Sequence, residues 1–330
     1  MKLATNLDGR RILITGGLGF IGSNLALRCL ELGATVTIFD MLDPRSGGNI
    51  ENIKAFEHDV RVELNDIRNF EGVSAVIRGH DLLLNCAAYT SHPNSMRDPL
   101  TDIDVNCKGV INILEAIRRF NPACRLVHVG TSTQIGRMLY SPIDERHPEF
   151  PVDIYSANKT ASEKYALIYG SAYGLDTTVV RLANVYGPRS NIRNPDFGFM
   201  NYFIGLGLAG KTITVFGEGR QLRTISYVSD VVDALVLAGV SPRAAGETFF
   251  AVGECQYDVS QIASAIASVI GGRVQQVEWP PDREAIEIGD AIISNAKIRE
   301  MLAWVPEIDL EAGLALTRDY FADKLARYLR

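Results

Sequence analysis

The sequence predicts an α/β protein: a doubly wound parallel sheet followed by a smaller mixed α/β C-terminal lobe. Three observations carry this. Short apolar runs rich in Val, Ile and Leu alternate with longer segments of helical period from residue 11 to residue 182. Those runs are continuously apolar rather than alternating, as in strands covered on both faces by crossover helices. After about residue 185 the texture changes to short mixed strands and helices.

Taken in order, "RILIT" (11–15), "TVTIFD" (35–40), "RVEL" (61–64), "DLLLNCA" (81–87), "RLVHVG" (125–130) and "TTVVRL" (177–182) are the expected strands. Helices are expected over 20–33, 69–78, 98–120 and 155–174, then near 198–210, 229–240, 258–270, 294–302 and 309–329. Between the two regions, "NVYGPRSNIRNPDFGF" (184–199) is a long irregular loop, a kind that is often functional.

The chain has 330 residues, enough for about two domains or one large one. It is 47% hydrophobic and 22% charged, which supports a buried core and excludes a disordered chain. The net charge of −6 shows no basic concentration suited to nucleic acid. Five cysteines, at Cys29, Cys86, Cys107, Cys124 and Cys255, form no C-x-x-C pair, so neither a metal site nor a disulfide framework is expected. The opening "MKLATNLDGR" has no apolar signal core and no run is long enough to span a membrane. A soluble, cytoplasmic protein with no membrane partner is expected.

Between the first strand and first helix stands "TGGLGFIGSN". Gly16, Gly19 and Gly22 satisfy G-x-x-G-x-x-G, and Gly17, Gly19 and Gly22 satisfy G-x-G-x-x-G. Such a turn lets a pyrophosphate approach the backbone and meet the N–H groups of the helix start, here Phe20 and Ile21. Asp40 closes the second strand 18 residues beyond Gly22, where an acid accepts hydrogen bonds from a ribose and repels a 2′-phosphate. NAD is therefore the expected cofactor. Arg45 is close enough in sequence to leave NADP open as a second choice.

"YSANK" places Tyr155 and Lys159 at i and i+4, on one helix face. A phenol is a poor base at neutral pH, and a nearby ammonium and an oxidised nicotinamide would both favour its phenolate. "TST" (131–133) delivers hydroxyls to the carboxyl edge of the sheet, where one of them can hold the substrate oxygen.

With these residues in view, the chain resembles the extended short-chain dehydrogenase/reductases, a Rossmann-type group, and within it the nucleotide-sugar epimerases and dehydratases of the UDP-galactose 4-epimerase type. The likeness runs from about residue 10 to 320. It rests on "TGGLGFIGSNL", Asp40, "NDIRN", "NCAA", "DPLTDIDVNCKGVINILEA", "GTSTQIG", "YSANK", "RLANVYGPR", "FGEGRQLRTISYVSDVVDAL" and "ISNAKIREMLAWVPEIDLEAGL". The resemblance implies that Asp66 and Ile67 border the adenine and that Ala87, Ala88, Asn106 and Lys159 line the cofactor. It implies that Ser132 is the catalytic hydroxyl with Thr133 beside it. Asn184 and Arg223 would hold a sugar-nucleotide diphosphate, Arg283 would be a second diphosphate contact, and Val215 would lie at the nucleotide base. His92 would face the sugar. It implies an NAD domain over 1–184, with parts of 223–252 returning to it, a nucleotide-sugar lobe over 185–330, and a homodimer paired through the helices at 98–120 and 155–174.

Three departures from the family pattern bear on substrate and reaction. Gly136-Arg137 replaces the family's Tyr-Gly, and Thr224 replaces the acid that usually follows the arginine at 223. Thr133 and Gln134 stand where the 4,6-dehydratases carry an Asp-Glu pair, and the decarboxylases commonly use a glutamate there. Keto-sugar reductases usually draw on NADPH, which Asp40 disfavours. Epimerisation at C4 needs no further acid or base, so a C4 epimerase is the first expectation. Dehydratase, decarboxylase, keto-sugar reductase and C2 or C5 epimerase remain alternatives, with a non-catalytic NAD sensor behind them.

Overall fold

The computed structural model describes residues 5–43, 46–280 and 287–329. The chain begins β1 (Arg11–Thr15), α1 (Phe20–Glu31), β2 (Thr35–Asp40), β3 (Val60–Leu64), α2 (Phe70–Val76) and β4 (Leu82–Asn85). It continues α3 (His92–Arg97), α4 (Pro99–Ile103), α5 (Val110–Phe120), β5 (Arg125–Thr131), α6 (Ile154–Tyr173) and β6 (Thr177–Leu182). Next come β7 (Val185–Tyr186), α7 (Phe199–Leu208), β8 (Thr212–Phe216), β9 (Leu222–Thr224), β10 (Ser226–Tyr227) and α8 (Val228–Val240). The last elements are β11 (Thr248–Ala251), β12 (Gln256–Asp258), α9 (Val259–Val269), β13 (Arg273–Val277), α10 (Ala296–Leu302), α11 (Leu310–Phe321) and α12 (Leu325–Tyr328).

Seven parallel strands form the central sheet in the order β11-β6-β5-β4-β1-β2-β3. The order reverses between β1 and β4, which opens a crevice at their carboxyl ends. Alternate strand residues feed two cores. Ile12, Ile14, Val36, Ile38 and Val127 pack with Leu25 of α1 and Val231, Val232 and Leu235 of α8. Leu13, Phe39, Leu83 and Leu126 pack with Val73 of α2 and Ile113, Leu114 and Ile117 of α5. A third core, with Ile204, Ile213, Ile262, Ile266 and Leu314, belongs to the smaller lobe.

The expected helix over 98–120 is divided. α4 and α5 are joined by a wider π-helical turn, Asp104–Gly109. A side chain at Gly109 would meet Ile67 Cδ1 at 2.6 Å, so the turn comes in close under the cleft floor. Apolar periodicity does not register one extra residue in a turn. The expected helix over 309–329 likewise breaks into α11 and α12.

The glycine turn, the 184–199 loop and the C-terminal helix α12 meet at Asn52, a buried residue. Its Nδ2 donates to Leu18 O at 2.9 Å, its Oδ1 accepts from Tyr328 Oη at 2.8 Å, and its backbone O accepts from Arg189 Nε at 2.9 Å.

Behind the sheet edge, Arg181 of β6 is buried with Glu163 of α6, donating from Nε at 2.8 Å and from Nη2 at 2.6 Å. Glu149 also accepts from Arg181, and Gln134 Nε2 donates to Glu163 at 2.8 Å. Breaking such a pair leaves an uncompensated buried charge. Arg181→Leu should therefore lower the urea-derived unfolding free energy by about 3–5 kcal/mol. The double replacement Arg181→Leu/Glu163→Leu should recover part of that loss.

Candidate active site

The crevice between β1 and β4 deepens into a cleft of about 370 Å³, the size of a small-molecule site. Gly16 sits at φ +69°, where a Cβ would lie 2.6 Å from Ala87 N, so the turn after β1 can press against the segment leaving β4. At Gly22 a Cβ would fall 2.2 Å from Gly16 O, so only glycine lets α1 start this close to the turn. Among the described residues no side chain caps α1, whose N-cap is Gly19. Gly16, Gly19, Phe20, Ile21 and Gly22 all line the cleft, so the helix start is presented to whatever enters it.

Asp40, at the end of β2, is on the same wall. Its Oδ2 accepts from Leu18 N at 3.0 Å and its Oδ1 from Leu42 N at 2.7 Å. Burial pushes its carboxyl above the usual range, against the pull of those two N–H groups. Each oxygen keeps a lone pair for hydroxyls, since a carboxylate offers about four acceptor positions. Asp66, Ile67, Ala87 and Ala88 complete this half of the cleft. Asp66 is braced by Arg68, with Nε at 2.8 Å. Asn106 is not on the wall. It is buried behind it, where its Oδ1 accepts from Tyr89 N at 3.0 Å and its Nδ2 donates to Tyr89 O at 2.9 Å. It therefore shapes the 87–90 segment from beneath. The glycine cradle, the uncapped helix start and the acid at the end of β2 fit a dinucleotide such as NAD.

Across the cleft, α6 begins with Asp153 as its N-cap, accepting from Ser156 N at 2.8 Å. The next two turns place Tyr155 and Lys159 on the wall, both buried. Lys159 Nζ donates to Val129 O at 2.6 Å and lies 3.3 Å from His128 Nε2. Burial pulls its ammonium down to about 8. Burial pushes the Tyr155 phenol above its usual range; a hydrogen bond with the Thr131 side chain opposes this, while Asp102 and Asp153 reinforce it.

Thr131 lines the cleft with Tyr155, one residue before Ser132, to which the resemblance assigns the catalytic hydroxyl. Thr131 ends the extended strand, and the chain then tightens into a short 3₁₀ turn at Ser132–Ile135, which changes the direction of successive side chains. Ser132 lines the cleft and makes no hydrogen bond to another of the described residues, so its hydroxyl is open to a ligand. Thr133 Oγ1, also on the wall, is 3.1 Å from Thr131 Oγ1 and 2.9 Å from Ser156 Oγ. Gln134 is turned away into the Arg181–Glu163 cluster.

On the lobe side, Asn184 reaches the cleft in a left-handed conformation, φ 42°, with Nδ2 donating to Thr224 O at 2.9 Å. Two expected contacts lie off the wall. Val215 is buried in the lobe core, because alternate residues of β8 face inward. Arg223 is spent on its own lobe, donating to Gly289 O at 2.6 Å and to Glu287 Oε1 at 2.8 Å. Arg283 and Arg45 lie outside the described residues. Asn191, Asp196, Phe197 and Asn201 line the cleft instead. The irregular composition of 184–199 signalled that segment without indicating which side chains turn inward.

Fold and cleft together fit a dinucleotide-dependent enzyme, with a tyrosine and a lysine one helical turn apart on the cleft wall. The model of the NAD dependent epimerase/dehydratase family matches residues 12–253, and the chain belongs to that family. It is 32% identical to a UDP-glucose 4-epimerase of Mycolicibacterium smegmatis, over 95% of this chain and 99% of that one. It is 30% identical to a dTDP-glucose 4,6-dehydratase of Streptomyces niveus, over 96% and 94%. Among solved structures, the UDP-glucose 4-epimerase of Thermotoga maritima with UDP-glucose superposes with a TM-score of 0.86, at 30% identity, over 96% of this chain and 99% of that one. NAD is the cofactor of the family. Among the described residues there is no cluster suited to a metal ion, and no helix is long and apolar enough to cross a membrane.

The depressed Lys159 makes a pH prediction. In the folded chain the amine binds its proton less tightly than when unfolded, so charging it opposes folding below about 8, and this penalty fades as pH rises from there to its ordinary value of 10.5. Lys159→Met should be the more stable protein at pH 7 in chemical denaturation, and its advantage over the parent should shrink across that alkaline window.

Proposed function

We propose that this chain interconverts the C4 epimers of a nucleotide-diphosphate sugar. The observation that supports this reading best is one arrangement. Tyr155, Lys159 and the open hydroxyl of Ser132 converge on the cleft of the glycine turn, while Gln134 is withdrawn from it. The position the resemblance assigns to an eliminating carboxylic acid is thus held by a buried amide.

In this reading NAD, when bound, takes a hydride from the sugar and gives it back. Tyr155 exchanges a proton with the sugar hydroxyl, Ser132 holds that oxygen, and Thr131 fixes the phenol. Lys159, protonated at pH 7, lies one helical turn from Tyr155 and favours its phenolate. Asp40 accepts the ribose hydroxyls and Asp66 and Ile67 border the base, while Asn184 and the 191–201 segment receive the nucleotide sugar. The relative's UDP-glucose makes a uridine nucleotide the first to try. The reading also takes the chain as a homodimer, since Leu100 and Ile103 of α4 and Ile168 and Tyr173 of α6 stand exposed on the elements the resemblance pairs.

Incubation with UDP-, GDP-, CDP- and dTDP-sugars, followed by NMR of the anomeric protons without added reductant, tests the assignment. A new anomeric signal from at least one sugar is expected, and none from any of them would refute it. Tyr155→Phe should cost about 10²–10⁴-fold in kcat with NAD still retained. Asp40→Ala should weaken NAD and narrow the preference over NADP in equilibrium titrations; an unchanged ratio would remove Asp40 from the ribose.

A further inference from the structure

The cleft contains a second acid–base group that C4 epimerisation leaves unused. His92, at the start of α3, lines the cleft, and its Nδ1 is 2.8 Å from Asp153 Oδ2. An ionised carboxylate only accepts, so Nδ1 carries the hydrogen and Nε2 is the ring nitrogen left for a ligand. Asp153 is itself fixed as the α6 N-cap and by Ser156 Oγ, which donates to it at 3.1 Å. Burial works against its charge, yet the hydrogen bonds from His92 and Ser156 hold its carboxyl below the usual range. The imidazole meets the Tyr155 ring edge-on, with centroids 5.0 Å apart and planes at 83°. Two groups of opposite capability thus stand side by side on the cleft wall, in direct ring contact. One is a phenol whose hold on its proton burial strengthens. The other is an imidazole with a carboxylate behind it, the base-and-orienter arrangement of a general base.

We propose that His92, oriented by Asp153, is a catalytic acid–base residue toward a nucleotide-linked keto sugar, exchanging the C–H proton next to the ketone. This rests on the reading of the cleft as a nucleotide-sugar site. The Tyr155 hydroxyl donates to the ketone oxygen. Nε2 takes the proton from the adjacent carbon, the C–H electron pair becomes the C=C bond of the enolate, and the carbonyl pair moves onto the oxygen that Tyr155 holds. The imidazolium exchanges with solvent, then returns a proton to the carbon and restores the ketone. No oxidant or reductant is consumed.

The test supplies the ketone ready-made. The full chain with its retained cofactor is incubated in D2O with UDP-4-keto-6-deoxyglucose and, in parallel, its dTDP counterpart. Deuterium at the carbons flanking the ketone is read by proton NMR and mass spectrometry, and binding is measured by calorimetry. The parent protein should exchange faster than buffer, and His92→Gln should slow exchange by about 10²-fold or more with binding retained. Asp153→Asn keeps a capping side chain at α6. It should nonetheless slow exchange with the melting temperature held, which a purely structural contact would not do. Binding without exchange by the parent, or a His92→Gln protein as fast as the parent, would overturn the proposal and leave the cleft reading standing. Failure of both keto nucleotides to bind would overturn the cleft reading and the proposal together.

Discussion

The close approach of the Gly16 turn to the backbone at Cys86–Ala87 is the constraint on which the rest of the molecule is arranged. A single methyl group there would sit 2.6 Å from Ala87 N. Because the contact is backbone against backbone, no neighbouring side chain can yield to relieve it. It holds β1 and the exit of β4 together at the point where strand order reverses, and so sets the width of the crevice. Helix α1 follows from the same turn at an angle that Gly22 alone permits.

The opposite wall depends on α6 in the same way. Asp153 starts that helix, holds His92 by a direct hydrogen bond and sets the register in which Tyr155 and Lys159 fall on one face. Further along, Glu163 anchors the helix to Arg181 in the sheet. Cap, chemical pair and buried ion pair are thus successive features of one twenty-residue helix. A shift of the helix by one residue would misplace all of them.

Much of this was legible in the sequence because it depends on short-range chemistry. Glycine spacing, an acid at a strand end and a Tyr-Lys pair at helical spacing are properties of a few adjacent residues, and the structure gathers Gly16, Gly19, Gly22, Asp40, Tyr155 and Lys159 around one cleft. What was not legible depends on direction. How Thr131, Ser132 and Thr133 are directed turns on where a strand gives way to a 3₁₀ turn. Arg223 carries the fork suited to a diphosphate, yet it is claimed by Glu287, a partner 64 residues away. Val215 sits on an alternating strand whose parity alone decides that it is buried. Asn106 is where a lining residue would be in sequence, but it acts one layer deeper.

Asn52 gives the architecture a property that neither lobe has alone. One buried amide joins the segment after β2, the glycine turn through Leu18, the long loop through Arg189, and the C-terminal helix through Tyr328. The lobes are therefore buckled together at the back of the cleft, close to where Asp40 also grips Leu18. A hinge that swings the whole lobe open would have to undo this buckle and expose its polar atoms.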